Sequence, residues 1–96
     1  MKPLPAAVFL GLAMQAVTAS ADVGGKYAAA CATCHAGGAL GAPRKGDAAA
    51  WAPRLAQGMP VLVQHVRNGF RNMPAKGLCN DCDDADYEAL IKFMSQ

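Results

Sequence analysis

The segment Cys31-Ala32-Thr33-Cys34-His35 constrains this chain more than any other. Residues i and i+3 of a helix lie on the same side, about one turn apart. If the segment is helical, the thiols of Cys31 and Cys34 project together and the imidazole of His35 follows directly. Thiols and imidazoles bind metals or react covalently. We therefore expect the chain to present all three groups to one site.

The order of these residues favours covalent attachment of one haem. The pattern C-x-x-C-H is typical of c-type haem sites. In this interpretation Cys31 and Cys34 form thioethers at the edge of the macrocycle, and His35 provides an axial ligand to the iron. An extracytoplasmic, oxidising compartment would also suit this chemistry.

Three other interpretations of the cysteines are open. A zinc site could combine them with Cys79 and Cys82, but paired C-x-x-C motifs in zinc sites are usually separated by ~15–20 residues, far fewer than here. A thioredoxin-like pair begins a helix after a strand, whereas this motif ends a predicted helix. Two ordinary structural disulfides are the third alternative.

The first 21 residues are predicted to form a cleaved signal peptide. Lys2 precedes an uncharged apolar run at 5–17, and Ala19-Ser20-Ala21 has the small residues of a cleavage site. The run is shorter than the ~20 apolar residues that span a bilayer. We therefore expect one domain at residues 22–96, exported to the periplasm and soluble after cleavage, with no stable membrane insertion.

The charged residues separate along the chain. Nine Lys and Arg stand against seven Asp and Glu, a formal net charge of +2, which does not suit a nucleic-acid-binding domain. Residues 44–76 hold six bases and one acid, whereas residues 81–88 hold five acids and no base. We expect the basic segment to steer an acidic partner towards the site.

A domain of residues 22–96 is small, and its large apolar residues are few. Trp51, Phe70, Tyr87 and Phe93 are its main aromatic candidates for a core, and much of the apolar content is alanine. Chains of this size rarely stabilise a fold by a side-chain core alone. A cofactor, a metal or disulfides should therefore complete the core.

Hydrophobic periodicity predicts an all-α domain with two substantial loops. Asp47 should cap the second helix, which is expected to stop near Pro53. Gly69 should end the third, and the fourth carries apolar residues at i, i+3, i+4 and i+7. The four predicted helices cover residues 23–34, 47–53, 60–69 and 83–94.

A haem iron with a histidine on one side needs a sixth ligand, and Met73 is the predicted residue. It lies in the loop 72–77, whose proline and glycine allow a side chain to cross the face of a ring. His/Met ligation raises the reduction potential. Met59 is the main alternative ligand, whereas Met94 is expected in the core and His65 at the surface or at an edge.

These motifs together resemble class I cytochromes c, and most closely the small bacterial c5-type cytochromes. The resemblance extends over nearly all of residues 22–96. It implies a small class I cytochrome c fold, with about four short helices around one covalently bound haem c. The matching residues are Cys31–His35, Gly41–Pro43, Trp51–Arg54, Gly58, Asn68–Gly69, Met73–Pro74, Lys76–Gly77, Cys79 and Cys82.

The resemblance also implies roles for residues around the haem. The carbonyl of Pro43 would accept a hydrogen bond from the second ring nitrogen of His35. Trp51 and Arg54 would donate hydrogen bonds to the haem propionates, although a packing role is an equal alternative for Trp51.

Two structural contacts follow from the same resemblance. Cys79 and Cys82 would form a disulfide that joins the loop after Met73 to the last helix. Tyr27, Leu90 and Phe93 would contribute to the contact between the first and last helices.

The implied activity is single-electron transfer rather than catalysis. The expected partners are respiratory redox proteins, with a cytochrome bc complex as donor and a haem–copper oxidase or other reductase as acceptor. We expect a monomer or weak dimer. A haem enzyme or gas-binding protein with an open coordination site, and a haem-free zinc or disulfide module, are the alternatives.

Overall fold

The structure is a computed structural model that describes residues 22–96. The predicted signal peptide, residues 1–21, lies outside this range. The described residues form helices and loops without a strand, and a single bridge pairs Phe70 with Met73. This confirms the predicted all-α class. None of the helices in residues 22–96 combines the length and apolar character needed to cross a bilayer.

Four helices and two short turns make up the described domain. Helix α1, residues 23–35, joins α-helical Val23–Lys26, π-helical Tyr27–Cys31 and α-helical Ala32–His35. The remaining helices are α2 (Ala48–Leu55), α3 (Met59–Asn68) and α4 (Asp84–Ser95). The loops contain 3₁₀ turns at Ala39–Gly41 and Ala75–Leu78.

Helix α2 begins as predicted but continues past its proline. The carboxylate of Asp47 accepts a hydrogen bond from a first-turn amide at 3.2 Å. The prediction of an end near Pro53 was short by two residues. A proline in the last turn removes only its own hydrogen bond to the carbonyl four residues earlier. The helical hydrogen-bond pattern continues after the proline, since the Ala56 amide donates to the Ala52 carbonyl at 3.1 Å.

The π-helical segment of α1 is a feature that periodicity did not predict. A π turn adds one residue to a helical turn and is often found at functional sites. Here it precedes the C-x-x-C-H motif, and the consecutive residues Ala30 and Cys31 are both buried. The segment therefore places the first cysteine of the motif against the interior.

Contacts between α1 and α4 bring the two ends of the domain together. The rings of Tyr27 and Phe93 have centroids 5.4 Å apart. The Lys26 ammonium lies 3.7 Å from the Asp86 carboxylate. Beneath these contacts, Leu90 and Ile91 of α4 are buried, so the apolar face of the last helix closes the core.

The start of α4 is fixed by a reciprocal capping box. The Asp83 carboxylate accepts from the Asp86 amide at 3.0 Å, and the Asp86 carboxylate accepts from the Asp83 amide at 3.0 Å. The Asp83 amide, with a further contribution from Lys26, holds the pKa of the Asp86 carboxyl below its usual value. A carboxyl with a lowered folded-state pKa stabilises the fold above its unfolded pKa, and this stability is lost as the pH falls.

The substitution Asp86→Asn tests this linkage. At neutral pH it should lower the free energy of unfolding by up to about 1 kcal/mol. The difference from the unsubstituted protein should shrink as the pH falls below about 4, because protonation then removes the same charge. Thermal unfolding of the haem-loaded proteins from neutral pH to below about 4 measures the difference in stability and its dependence on pH. Glu88→Gln, on the same helix but outside the capping box, is the control. A pH-independent difference at Asp86 would contradict the linkage.

Candidate functional site

A cavity of about 360 Å³ lies at the centre of the described domain, within the size range of small-molecule and cofactor sites. Helices α1, α2, α3 and α4 and both loops contribute to its walls, which are mostly apolar. All seven predicted site residues line it: Cys31, Cys34, His35, Pro43, Trp51, Arg54 and Met73. The alternative ligand Met59 and the second cysteine pair are not part of this lining.

His35 is held in a defined orientation at the end of α1. Its side chain is buried, and Nδ1 lies 2.7 Å from the carbonyl oxygen of Pro43. With that carbonyl as acceptor, Nδ1 carries the proton, so Nε2 is the ring nitrogen that can bind a metal. The ring also stacks on Trp51, with centroids 5.8 Å apart and an interplanar angle of 26°. These contacts restrict both the tautomer and the rotation of the imidazole.

The two cysteine pairs lie in different places. Cys31 and Cys34 are free thiols on the cavity wall, whereas the sulfur atoms of Cys79 and Cys82 lie next to each other away from this lining. Burial raises the pKa of the Cys31 thiol. The cavity pair therefore offers two thiol groups one helical turn apart.

Met73 enters the cavity from a tight turn. Phe70 and Met73 exchange two main-chain hydrogen bonds, each 2.9 Å long. A Cβ atom at Gly77 would lie 3.1 Å from the Met73 Cε atom. A Cβ atom at Gly69 would lie 3.0 Å from the Ala75 amide nitrogen, and Gly69 has φ of +88°. The two glycines thus allow the close approach that places the thioether at the cavity.

Trp51 and Arg54 line the cavity, but each side chain donates a hydrogen bond to a main-chain carbonyl. The indole N–H of Trp51 donates to the Arg44 carbonyl at 2.9 Å, and Arg54 Nη1 donates to the Ala50 carbonyl at 2.7 Å. Because an indole has one donor, this geometry favours the packing alternative for Trp51. A guanidinium has five N–H donors, so Arg54 retains the capacity to bind an anion.

The mouth of the cavity is apolar and exposed. Leu40, Phe70 and Leu78 line it with 72%, 42% and 52% of their surfaces accessible. Leu40 and Leu78 also have φ of +54° and +69°, which is uncommon for bulky residues. Asn72 Nδ2 donates to the Leu40 carbonyl at 3.4 Å and links the two loops. Periodicity gives no indication of these exposed leucines because their backbones are not helical.

His65 is a further lining residue that was not predicted as part of the site. It was expected at the surface or at an edge, and it is half-buried and lines the cavity from α3. Its ring stacks on Phe70, with centroids 3.8 Å apart and an interplanar angle of 12°. Its place near Leu62 and Val66 on the apolar face was the available sequence signal.

The lining residues fit a covalently bound haem c. Such a group is attached through two thiols at one edge, is bound by an imidazole on one side of the ring and packs against apolar walls, and a thioether is one of the groups that can bind on the other side. Cys31, Cys34, His35 and Met73 provide these groups within one cavity. Its walls are predominantly apolar, as the buried part of a macrocycle requires.

A model of a protein family, described as cytochrome c oxidase, cbb3-type, subunit III, matches residues 19–94. The chain is 47% identical over 72 residues to cytochrome c-555 of Chlorobaculum tepidum, which covers 71% of this chain and 67% of that protein. It is 42% identical over 76 residues to cytochrome c5 of Azotobacter vinelandii, which covers 77% of this chain and 88% of that protein. The chain belongs to the cytochrome c family.

Solved structures agree with this assignment of the cytochrome. A mono-haem ferrocytochrome c from Shewanella putrefaciens, solved by NMR, has a TM-score of 0.71 and 45% identity, covering 80% of this chain and 95% of that chain. A cytochrome c in an electron-transfer complex with nitrite reductase has a TM-score of 0.69 and 38% identity, covering 84% and 95% respectively. The predicted family, fold class and single covalent haem c are therefore confirmed, and the cytochrome is an electron carrier.

The close approach at Gly69 yields a prediction. Gly69→Ala should lower the free energy of unfolding of the haem-loaded cytochrome by about 1–3 kcal/mol, because the added Cβ meets main-chain atoms at a positive φ. Gly37→Ala is the matched control, since a Cβ there has no neighbour within 4 Å. Denaturant unfolding measures both. Equal stabilities for the two variants would contradict the packing at Gly69.

Proposed function

We propose that this cytochrome c is a periplasmic carrier that passes single electrons between respiratory redox proteins through a His/Met-ligated haem. The observation that carries the proposal is one cavity whose lining includes Cys31, Cys34 and His35 from α1 and Met73 from the loop 72–77. The bound iron would supply a one-electron couple between its ferric and ferrous states. The periplasmic location rests on the predicted signal peptide.

Cys31 and Cys34 are the proposed attachment residues, rather than the second pair. They line the cavity as free thiols, and a histidine follows directly. Cys82 is followed by Asp83, and neither Cys79 nor Cys82 is a lining residue. Only the first pair therefore combines thioether chemistry with an adjacent axial ligand.

The remaining site residues would hold the ligands and exclude water. Pro43 orients His35 through the 2.7 Å hydrogen bond to Nδ1, and such bonds raise ligand basicity. Trp51 packs beside the imidazole. Arg54 can bind a propionate with its additional donors. Because both axial ligands stay in place, electron transfer would need no large rearrangement.

Cys79 and Cys82 are proposed to form a structural disulfide. They lie between the 3₁₀ turn that follows Met73 and the start of α4. The Cys79 amide donates a hydrogen bond to the Lys76 main-chain carbonyl at 2.8 Å. The Tyr87 hydroxyl donates to the Cys79 carbonyl at 3.4 Å. The short loop limits any entropic contribution, so the disulfide would mainly anchor the methionine loop to α4.

The cavity mouth is the proposed electron-transfer surface. Leu40, Phe70 and Leu78 provide an exposed apolar centre, and the guanidinium of Arg71 lies 5.0 Å from the Phe70 ring centroid. Basic residues near an apolar mouth favour encounter with an acidic partner site. A cytochrome bc complex is the proposed donor, and a haem–copper oxidase or other reductase the acceptor. The similar cytochrome c in complex with nitrite reductase supports a redox-protein partner.

Intact mass tests the attachment residues. The leader-containing chain is expressed with haem-attachment machinery, and the product is denatured before measurement. Cys31→Ser/Cys34→Ser should lose the mass of one haem, because no thioether can form. Cys79→Ser/Cys82→Ser should keep it. The reverse result would assign haem attachment to Cys79 and Cys82. Absence of haem mass from the unsubstituted chain would contradict the proposed function.

Spectra of the oxidised protein test the sixth ligand. Met73→Ala should abolish the weak near-infrared band that Met–iron ligation gives in ferric cytochromes c, and it should allow carbon monoxide to bind the reduced protein. Met59→Ala should leave the band and the reduced spectrum unchanged. Loss of the band in the Met59 variant alone would assign ligation to that residue instead.

A further inference from the structure

The carbonyl group that orients His35 belongs to a loop at the surface. Pro43 is half-buried, and the residues that follow it, 44–47, are exposed. Packing of side chains therefore does little to fix this loop, and its position depends mainly on hydrogen bonds. The distance of 2.7 Å between His35 Nδ1 and the Pro43 carbonyl oxygen is at the short end of the range for such bonds. The loop must be held close to the imidazole to keep it.

The peptide group between Arg44 and Lys45 is held from both sides. Its N–H, from Lys45, donates to the His35 carbonyl at 2.8 Å. Its carbonyl, from Arg44, accepts a hydrogen bond from the indole N–H of Trp51 at 2.9 Å. Because a peptide group is planar, the two bonds fix one rigid unit between α1 and α2. The preceding peptide group of the chain carries the Pro43 carbonyl.

Trp51 contacts His35 a second time, through its ring. The indole and the imidazole are stacked, with centroids 5.8 Å apart. A closed cycle therefore runs from the imidazole through the indole and the Arg44–Lys45 peptide group to the main chain of His35. The Asp47 amide also donates to the Arg44 carbonyl, at 3.1 Å, but that bond lies within the loop. The buried indole is thus the contact that joins the loop to the body of α2.

We propose that Trp51 is a positioning residue for the axial ligand. Its indole N–H holds the loop so that the Pro43 carbonyl keeps a short hydrogen bond to His35 Nδ1. The proposal rests on the proposed ligation of the iron by His35, and it adds an effect on the reduction potential to the packing of Trp51. It also assigns the single donor of the indole to the Arg44 carbonyl rather than to a haem propionate.

The physical basis is the electron donation of the imidazole through Nε2. A hydrogen bond at Nδ1 raises the basicity of the ligand, and a more basic ligand stabilises the more highly charged ferric state. Without the indole N–H, the loop can move away from the ring and the bond at Nδ1 weakens. The reduction potential should then rise. Loss of a donor to a propionate, or entry of water beside a smaller side chain, would stabilise the ferric state and lower the potential instead.

Reduction potentials of the haem-loaded protein test this direction. Trp51→Phe keeps an aromatic ring beside His35 and removes the N–H. It should raise the equilibrium constant for reduction by about two- to tenfold, the range that one hydrogen bond spans, and tenfold corresponds to about 59 mV for one electron. Leu62→Ala, which removes packing from the same cavity without a hydrogen bond to the loop, should not raise it. An unchanged or lower potential in Trp51→Phe would overturn the positioning role.

A second replacement keeps the size of the side chain. Benzothienylalanine at position 51 has the shape of tryptophan, with sulfur in place of the N–H. It should give the same rise in potential, and it provides the measurement if Trp51→Phe does not fold with its haem. A potential equal to that of the unsubstituted protein would show that the indole N–H has no effect on His35.

NMR of the unsubstituted ferrous cytochrome tests the donor assignment without a substitution. Deuteration of the indole nitrogen should shift the carbon resonance of the Arg44 carbonyl. A shift at a haem carboxylate instead would assign the donor to the haem and contradict the proposal. The Nδ1 proton of His35 should also exchange with solvent faster in Trp51→Phe than in Leu62→Ala, because the loop opens more often. Equal exchange rates would contradict the link through the loop.

The two proposals can fail separately. The bound haem mass and the near-infrared band are measured on the unsubstituted protein and on each variant. If mass and band are present but the potential does not rise in the Trp51 variants, only the positioning role fails. If the unsubstituted protein has no covalent haem, the proposed haem site itself fails.

Discussion

The helices of this small domain pack around a central cavity, and its apolar walls impose the main constraint on the fold. Trp51, Ile91 and Met94 are among the most buried residues, yet all three line that cavity. Their contribution to stability depends on what occupies the space, because apolar contacts across an open cavity are lost. A covalently attached haem stays on the chain when the protein unfolds, so unfolding removes the packing of these side chains against the ring and not the ring itself. The haem therefore belongs to the apolar core of the folded cytochrome c.

Local interactions then aim the ligand groups at that cavity. The π turn of α1 buries Cys31, and the Pro43 carbonyl orients His35. In the methionine loop, the two main-chain hydrogen bonds between Phe70 and Met73 form a tight turn that depends on the missing side chain of Gly69. Each of these interactions joins residues that are close in sequence. The ligand groups meet in one cavity only because several segments contribute to its lining. This explains why the two loops carry most of the unusual backbone angles.

The sequence predicted the parts of this arrangement that local physics determines. Apolar periodicity and the carboxylates of Asp47 and Asp83 indicated the helices, and a five-residue motif indicated the cofactor. The extension of α2 beyond Pro53 was missed because a proline in the last turn removes only its own hydrogen bond. The π turn of α1 and the left-handed backbone of Leu40 were not predictable from apolar periodicity. The contact of His65 with the cavity was not predicted either. Its helical position was clear, but the cavity that it faces is formed by residues distant in sequence.

The acidic and basic residues that separate along the sequence also differ in the partners that they have in the structure. Acids of α4 have local partners, since Asp84 pairs with Arg67 at 3.1 Å and Glu88 pairs with Lys92 at 2.9 Å. Near the cavity, by contrast, Arg54 donates to a main-chain carbonyl and Arg71 lies against an aromatic ring. A carbonyl or a ring carries no net charge, so neither guanidinium is paired with a carboxylate of the described residues by these contacts. Arg54 would be neutralised by a haem propionate, whereas Arg71 is exposed beside the apolar mouth. The positive charge at the mouth therefore favours an acidic partner, while the charge on the cavity wall would fix the position of the haem.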